Sequence, residues 1–313
     1  MPEPRHFITF RDLSLEEHRR LIRRAMELKA ERAKGNYRLD HLAGRTVLMM
    51  FSKSSTRTRV SFECAVSELG GHPLSMSLGD SQWARGEPLS HTARVLSRYV
   101  SCVVIRHTLE ADLVELSKWS SVPIVNALTD ERHPCQVLGD LMTVAERTGG
   151  PDALASKSFC WIGDGDNMLN TWLEASAVFG FPLRFACPPG YGPDKAILER
   201  ATRDNPRITC AASISEAARG ADVVTTDVFA SMGREAQREK RLADFKGYQV
   251  NAELMASAAP GAIFLHCLPA HPGEEVSEEV IESPASAVWD EAENRLHAQK
   301  ALLEYLIPPL AKA

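Results

Sequence analysis

Short apolar runs rich in β-branched residues alternate along this chain with longer stretches of helical periodicity, the pattern of parallel strands joined by helices. The alternation occurs twice. In the first half, RTVLMMF (Arg45 to Phe51), HPLSMSL (His72 to Leu78), SCVVIRH (Ser101 to His107) and VPIVNAL (Val122 to Leu128) predict strands, with helices such as TRVSFECAVSELG and PLSHTARVLSRY between them. Gly149, Gly150 and Pro151 then break a helical run in ERTGGPDALASKS and predict a boundary between two domains. A second series of strands follows at Phe159 to Gly163, Leu183 to Ala186, Ile208 to Ala211, Asp222 to Thr226 and Ala262 to Leu268. The last stretch, WDEAENRLHAQKALLEYLI, is a long amphipathic helix with Leu296, Leu302, Leu303 and Leu306 on its core face. The expected fold class is α/β, with two doubly wound parallel-sheet domains.

Composition narrows the function classes. A chain of 313 residues, 44% hydrophobic and 25% charged, suits two ordinary domains with a sizeable core. The net charge of -5 gives no global basic field, so neither nucleic acid nor an anionic membrane is expected as the main partner, and any anion site must be local. The seven cysteines form no C-x-x-C pair, which fits a reducing compartment, the cytoplasm. MPEPRHFITFRDLS lacks the apolar run of a secretory signal, and no stretch has the length and apolarity of a membrane span.

One local anion site does stand out. FSKSSTRTR follows the first strand and opens a helix, so it would aim backbone N–H groups, the hydroxyls of Ser54, Ser55, Thr56 and Thr58, and the forks of Arg57 and Arg59 at one point. A serine that merely caps the helix is the simpler alternative, but a cap needs a single hydroxyl. The Walker spacing is absent. In DERHPCQVLGDL, Pro134 takes the first helical position, which lets His133 and Gln136 face the same way and offers a hydrogen bond to a substrate carbonyl; a self-capping histidine is the alternative. Arg106 ends a strand at the same sheet edge, where ligands of open α/β sheets bind.

WIGDGDNMLNTW, in the second half, invites a dinucleotide reading that fails because Met168 takes the place of the third glycine. Asn167 there is either a turn residue or a ligand to a polar substrate group. Asp227, just past a strand end in TTDVFASMG, suits a cationic amine. A metal on His266, Cys267 and His271 is disfavoured by the missing fourth ligand and spacing. Arg295, among acidic neighbours, reads as a salt-bridged helix residue.

STRTR at 55–59, HPCQ at 133–136, DVFASMG at 227–233 and HCLP at 266–269, in this order, resemble the ornithine carbamoyltransferase family over nearly the whole chain. The resemblance implies a carbamoyl-phosphate-binding domain at 1–148, to which helix 292–313 returns, and an ornithine-binding domain at 149–291. It implies homotrimers or multiples of them, and neither metal nor organic cofactor. Carried over, Ser55, Thr56, Arg57 and Thr58 hold the phosphate, Arg106 bridges phosphate and carbonyl, and Arg295 lies near the phosphate. Gln82 reaches a neighbouring subunit's phosphate site. His133 and Gln136 contact the carbamoyl group, and the backbone carbonyls of Cys267 and Leu268 grip its NH2. Asn167, Asp227, Ser231 and Met232 bind L-ornithine. Arg106, His133, Cys267 and Asp227 form the catalytic set. Ser52, Phe229 and Thr171 depart from the usual glutamate, tryptophan and serine. The alternatives are a transcarbamylase for putrescine, an N-acylornithine or aspartate, and a non-catalytic metabolite-binding protein on the same fold.

Overall fold

The computed structural model describes residues 3–37, 39–230 and 237–309. The chain divides into two compact units, Met1–Met142 with Asn294–Ala313, and Thr143–Glu293. The first division falls inside a helix, a few residues ahead of the Gly149–Gly150–Pro151 break that ends it.

In the first unit the elements run α1 (Leu15–Ala33), β1 (Thr46–Phe51), α2 (Thr56–Glu68), β2 (His72–Ser77), α3 (Leu89–Leu96), β3 (Cys102–Arg106), α4 (Glu110–Trp119), β4 (Ile124–Leu128) and the start of α5 (Pro134–Thr148). The sheet is wholly parallel, in the order β2-β1-β3-β4. Strands β1 and β3 are apolar almost throughout, as strands covered by helices on both faces must be. The order reverses at β1, and Phe51 lies in register with Arg106, so the segments leaving β1 and β3 emerge side by side at the switch point. Phe7 pairs with Val125 and so extends the sheet beyond β4. Helix α1 starts at a capping box in which the Ser14 N–H donates to Glu17 at 2.8 Å.

The second unit contains β5 (Phe159–Ile162), α6 (Asn167–Phe179), β6 (Leu183–Ala186), α7 (Lys195–Asp204), β7 (Ile208–Cys210), α8 (Ile214–Ala218), β8 (Val223–Thr226), α9 (Arg238–Asp244), α10 (Ala252–Ser257), β9 (Ile263–His266), α11 (Glu278–Ile281) and the first residues of α12 (Val288–Leu306). Its parallel sheet has the order β7-β6-β5-β8-β9. The reversal is at β5; Ile162 lies beside Thr226, and Thr226 beside His266, so three segments leave one edge together. The nine strands among the described residues all fall within the runs read from hydrophobic patterning.

From Asn294 onward α12 belongs to the first unit. Leu296, Leu302, Leu303 and Leu306 are buried as its periodicity predicts. Polar anchors fix its register: Lys300 Nζ reaches Glu68 at 2.9 Å, Glu304 accepts from Arg24 Nε at 2.7 Å, and Lys29 donates to Asn294 at 2.8 Å. Lys300 is 1% exposed, and its removal takes a charged hydrogen bond from Glu68, which keeps Arg32 at 3.0 Å. Lys300→Ala is expected to destabilise the first unit by roughly 2 kcal/mol, seen as a lower thermal midpoint.

Candidate functional site

The first unit builds a cationic cluster around the start of α2. Ser55 occupies the N-cap position with extended backbone, yet its hydroxyl makes no cap bond and the first turn contains no acidic residue. Instead Ser55 Oγ accepts a hydrogen bond from Arg106 Nη1 at 3.1 Å. The Ser55 hydroxyl is thus engaged by a guanidinium instead of capping the helix, and the positive end of the α2 dipole lies beside Arg106 with no acidic residue in its first turn. Backbone pairing reinforces the link, because the Ser52 N–H donates to the Arg106 carbonyl at 3.0 Å.

One turn on, Thr58 is buried and accepts from Arg295 Nη2 at 2.7 Å. That contact spans 237 positions in sequence. It requires α12 to press against α5, and Gly139 permits this: a Cβ there would lie 3.3 Å from Arg295 Cγ and 3.4 Å from its Cα. His133, just ahead of Pro134, accepts the Gln136 N–H on its own carbonyl at 3.1 Å, and its side chain is buried. Burial, reinforced by the charges of Arg295, Arg106 and Arg57, holds this imidazole well below its ordinary pKa. At neutral pH it is therefore an uncharged hydrogen-bonding group. Gln136, also buried, donates to Asp140 Oδ1 at 2.8 Å, which fixes its amide plane.

Two expectations are corrected. Arg59 does not join the cluster, because its Nε is taken by Glu63 at 3.0 Å, an i,i+4 pair on the exposed face. Lys53 lies toward Asp130, at 3.6 Å. Arg295 is not a surface salt-bridge residue but a buried donor to Thr58. Gln82 is exposed, ahead of a short turn whose Trp83 stacks on His107 with centroids 4.9 Å apart.

In the second unit, the residues past β5, β8 and β9 are neighbours by register. Asp227 is 8% exposed and accepts from the Val228 N–H at 2.7 Å and from Cys267 Sγ at 3.1 Å. Burial raises its pKa, partly opposed by those two hydrogen bonds. A cationic amine beside it would favour the charged form. Asn167 opens α6, half-buried, and its carbonyl accepts from Thr171 at 2.7 Å, so the threonine's hydroxyl keeps a backbone role. Gly165 has no alternative: a Cβ would meet the Gly192–Pro193 peptide at 2.3 Å. Phe229 packs on Phe245 with centroids 4.7 Å apart. Leu268 has φ 56, the one positive φ outside glycine among the described residues. Ser231 and Met232 lie outside the described residues.

Sequence reasoning alone missed Gly139 and Asp140. An alternation of small and polar residues on one face of α5 was the available signal, but nothing local says that α12 returns there.

Two family models match the chain in succession. The family model "Aspartate/ornithine carbamoyltransferase, carbamoyl-P binding domain" matches residues 5–146, and "Aspartate/ornithine carbamoyltransferase, Asp/Orn binding domain" matches residues 155–306. The ornithine carbamoyltransferase of Nitrosococcus oceani is 51% identical over 302 residues, 96% of this chain and 97% of that one. The structure of ornithine carbamoyltransferase from Pyrococcus furiosus superposes with TM-score 0.92 at 40% identity, covering 99% of each chain. That of the anabolic enzyme from Campylobacter jejuni gives 0.89 at 40% identity, covering 96% of this chain and 98% of that one. No helix among the described residues is long and apolar enough to cross a membrane.

His133 and the buried His18, pushed down to about 4, bind protons more readily once unfolded. Stability therefore rises with pH up to about 6.5, the unfolded value, and is lost as pH falls below it. Calorimetry between pH 7.5 and 5 should show a falling midpoint, with a shallower fall in His133→Asn.

Proposed function

The chain belongs to the aspartate/ornithine carbamoyltransferase family, and from that premise we propose how its residues carry out the reaction. It is an ornithine carbamoyltransferase: it moves the carbamoyl group of carbamoyl phosphate to the side-chain amine of L-ornithine, giving L-citrulline and phosphate. Relatives of that name, about half identical over nearly the full chain, carry the reading.

Ser55, Thr56, Arg57 and Thr58 hold the phosphate through the first turn of α2, and Arg295 adds charge behind Thr58. Arg106 bridges phosphate and carbonyl oxygen. The neutral His133 donates to the carbonyl, and Gln136 contacts the carbamoyl group beside it. Support comes from the unused cap, the acid-free turn and the neutral state of His133 among three guanidinium groups. The carbonyls of Cys267 and Leu268 accept from the carbamoyl NH2. Asp227 and Asn167, with Ser231 and Met232, bind the α-amino and α-carboxylate groups of ornithine.

The side-chain amine attacks the carbamoyl carbon, an oxyanion develops on the carbonyl, and the bond to phosphate breaks. Donors fixed on that oxygen, Thr58, Arg106 and His133, lower the barrier because they need no reorganisation. The arginines stabilise the departing phosphate, as phosphate-handling sites generally require. The nitrogen loses a proton in becoming the urea of citrulline. Of the alternatives, aspartate would call for additional cationic groups in place of Asp227. The same proposal includes a trimer, or multiple of trimers, in which Gln82 reaches the neighbour's site. It also includes a cytoplasmic place in arginine biosynthesis, the sense of the similar anabolic enzyme.

The test is citrulline formation with carbamoyl phosphate and, separately, ornithine, N-acetylornithine, putrescine or aspartate. Turnover is expected with ornithine; preference for another amine overturns the acceptor assignment. An alkylamine with pKa of roughly 10.4 must lose a proton first, so the chemical step should accelerate through the mildly alkaline range. A step rate flat from pH 6 to 9 contradicts this. Arg106→Gln is expected to lower kcat by about a hundredfold or more, and Asp227→Asn to raise the ornithine KM with little change in that for carbamoyl phosphate.

A further inference from the structure

Behind the Cys267–Leu268 carbonyls lies a buried pair that the chemistry above does not use. His266 and Glu275 both have side chains shut off from solvent, and His266 Nε2 lies 3.1 Å from Glu275 Oε1. On the other side of the ring, Nδ1 accepts the backbone N–H of Leu268 at 2.9 Å. An imidazole that accepts at Nδ1 carries its proton on Nε2, so His266 is the neutral tautomer that donates to the carboxylate. Glu275 Oε1 in turn accepts the His271 N–H at 2.6 Å.

These bonds hold an unfavourable turn. Leu268 sits at φ 56, a region that residues with a Cβ rarely adopt, and it stays there only if its surroundings fix it. Its one backbone donor is committed to His266, which orients the peptide planes carrying the Cys267 and Leu268 carbonyls. Glu275 is itself tied down, since its carbonyl accepts the Val250 N–H at 2.8 Å and Val250 bridges to Val276. The His266 N–H donates to the buried Glu291 at 2.8 Å, so the strand end cannot twist to relieve the turn.

We propose that Glu275 is a positioning residue: by fixing the tautomer and plane of His266 it aims the Cys267 and Leu268 carbonyls, and so sets selectivity for an acyl phosphate that bears an NH2 group. This rests on the assignment of those two carbonyls to the carbamoyl NH2. Acetyl phosphate, which has a methyl group in the same place, is therefore the probe that separates the two claims.

The experiment compares the KM for carbamoyl phosphate with the inhibition constants of acetyl phosphate and inorganic phosphate in the full-length protein. The wild type should favour carbamoyl over acetyl phosphate by at least about tenfold. If it does not, the carbonyl assignment fails and the positioning role with it. Glu275→Ala and His266→Ala should each reduce that preference about tenfold while leaving the inhibition constant of inorganic phosphate unchanged. Glu275→Gln keeps an oxygen for both donors, and His266→Asn keeps an acceptor for the Leu268 N–H; both should retain the preference. A wild type that discriminates, with alanine variants whose ratio does not move, overturns the positioning role alone, even if their thermal midpoints fall. Because these constants do not depend on the fraction of folded protein, poor yields of a variant leave the comparison intact.

Discussion

The first unit is organised around one electrostatic constraint: several guanidinium groups must stand around the start of a helix whose own end is positive. Like charges in a partly dry place repel, and the helix dipole adds to the cost. Two of these arginines are held on neutral hydroxyl oxygens. Arg106 holds Ser55 and Arg295 holds Thr58. A carboxylate in either place would have quenched the field and left nothing for an anion to neutralise. The neutral state of His133 follows from the same field, and Gly139 follows from the need to bring α12 close enough for Arg295 to arrive.

This constraint explains what the amino-acid pattern revealed and what it concealed. Strand positions were legible because parallel strands covered on both faces are largely apolar, as residues 47–51 and 102–105 are. Ser55, Arg106 and His133 were legible because each ends or begins an element at the sheet edge where ligands bind. Arg59 was misread because proximity in sequence to the hydroxyl turn looks like proximity in space; on a helix it faces away, and Glu63 one turn later claims it. Arg295 was concealed by its acidic neighbours, since the contact that gives it meaning is made by Thr58, far away in the chain. Its assignment came from the family resemblance, not from the pattern. Ser231 and Met232 stand as carried over from that resemblance.

The second unit obeys a complementary rule. Where the first unit sets the hydroxyls of Ser55 and Thr58 against Arg106 and Arg295, the second places Asp227, Glu275 and Glu291 among buried neighbours and gives each a hydrogen-bond donor. Buried carboxylates persist only when donors surround them. Cys267 donates to Asp227 because β8 and β9 are adjacent and Thr226 is in register with His266. Sheet register thus performs in the second unit what helix packing performs in the first.

Burial drives both sites toward neutrality, and their neighbours decide what happens next. His133 is desolvated and surrounded by cations, so both influences have the same sign and favour the uncharged imidazole. Asp227 is desolvated as well, and burial raises its pKa although the donors around it oppose that effect. An approaching ammonium group favours the carboxylate form, whereas a neutral or anionic group does not. Selection of a zwitterionic amine therefore rests on charge: a buried carboxylate gains most from a cation, while the neutral histidine provides a hydrogen-bond donor.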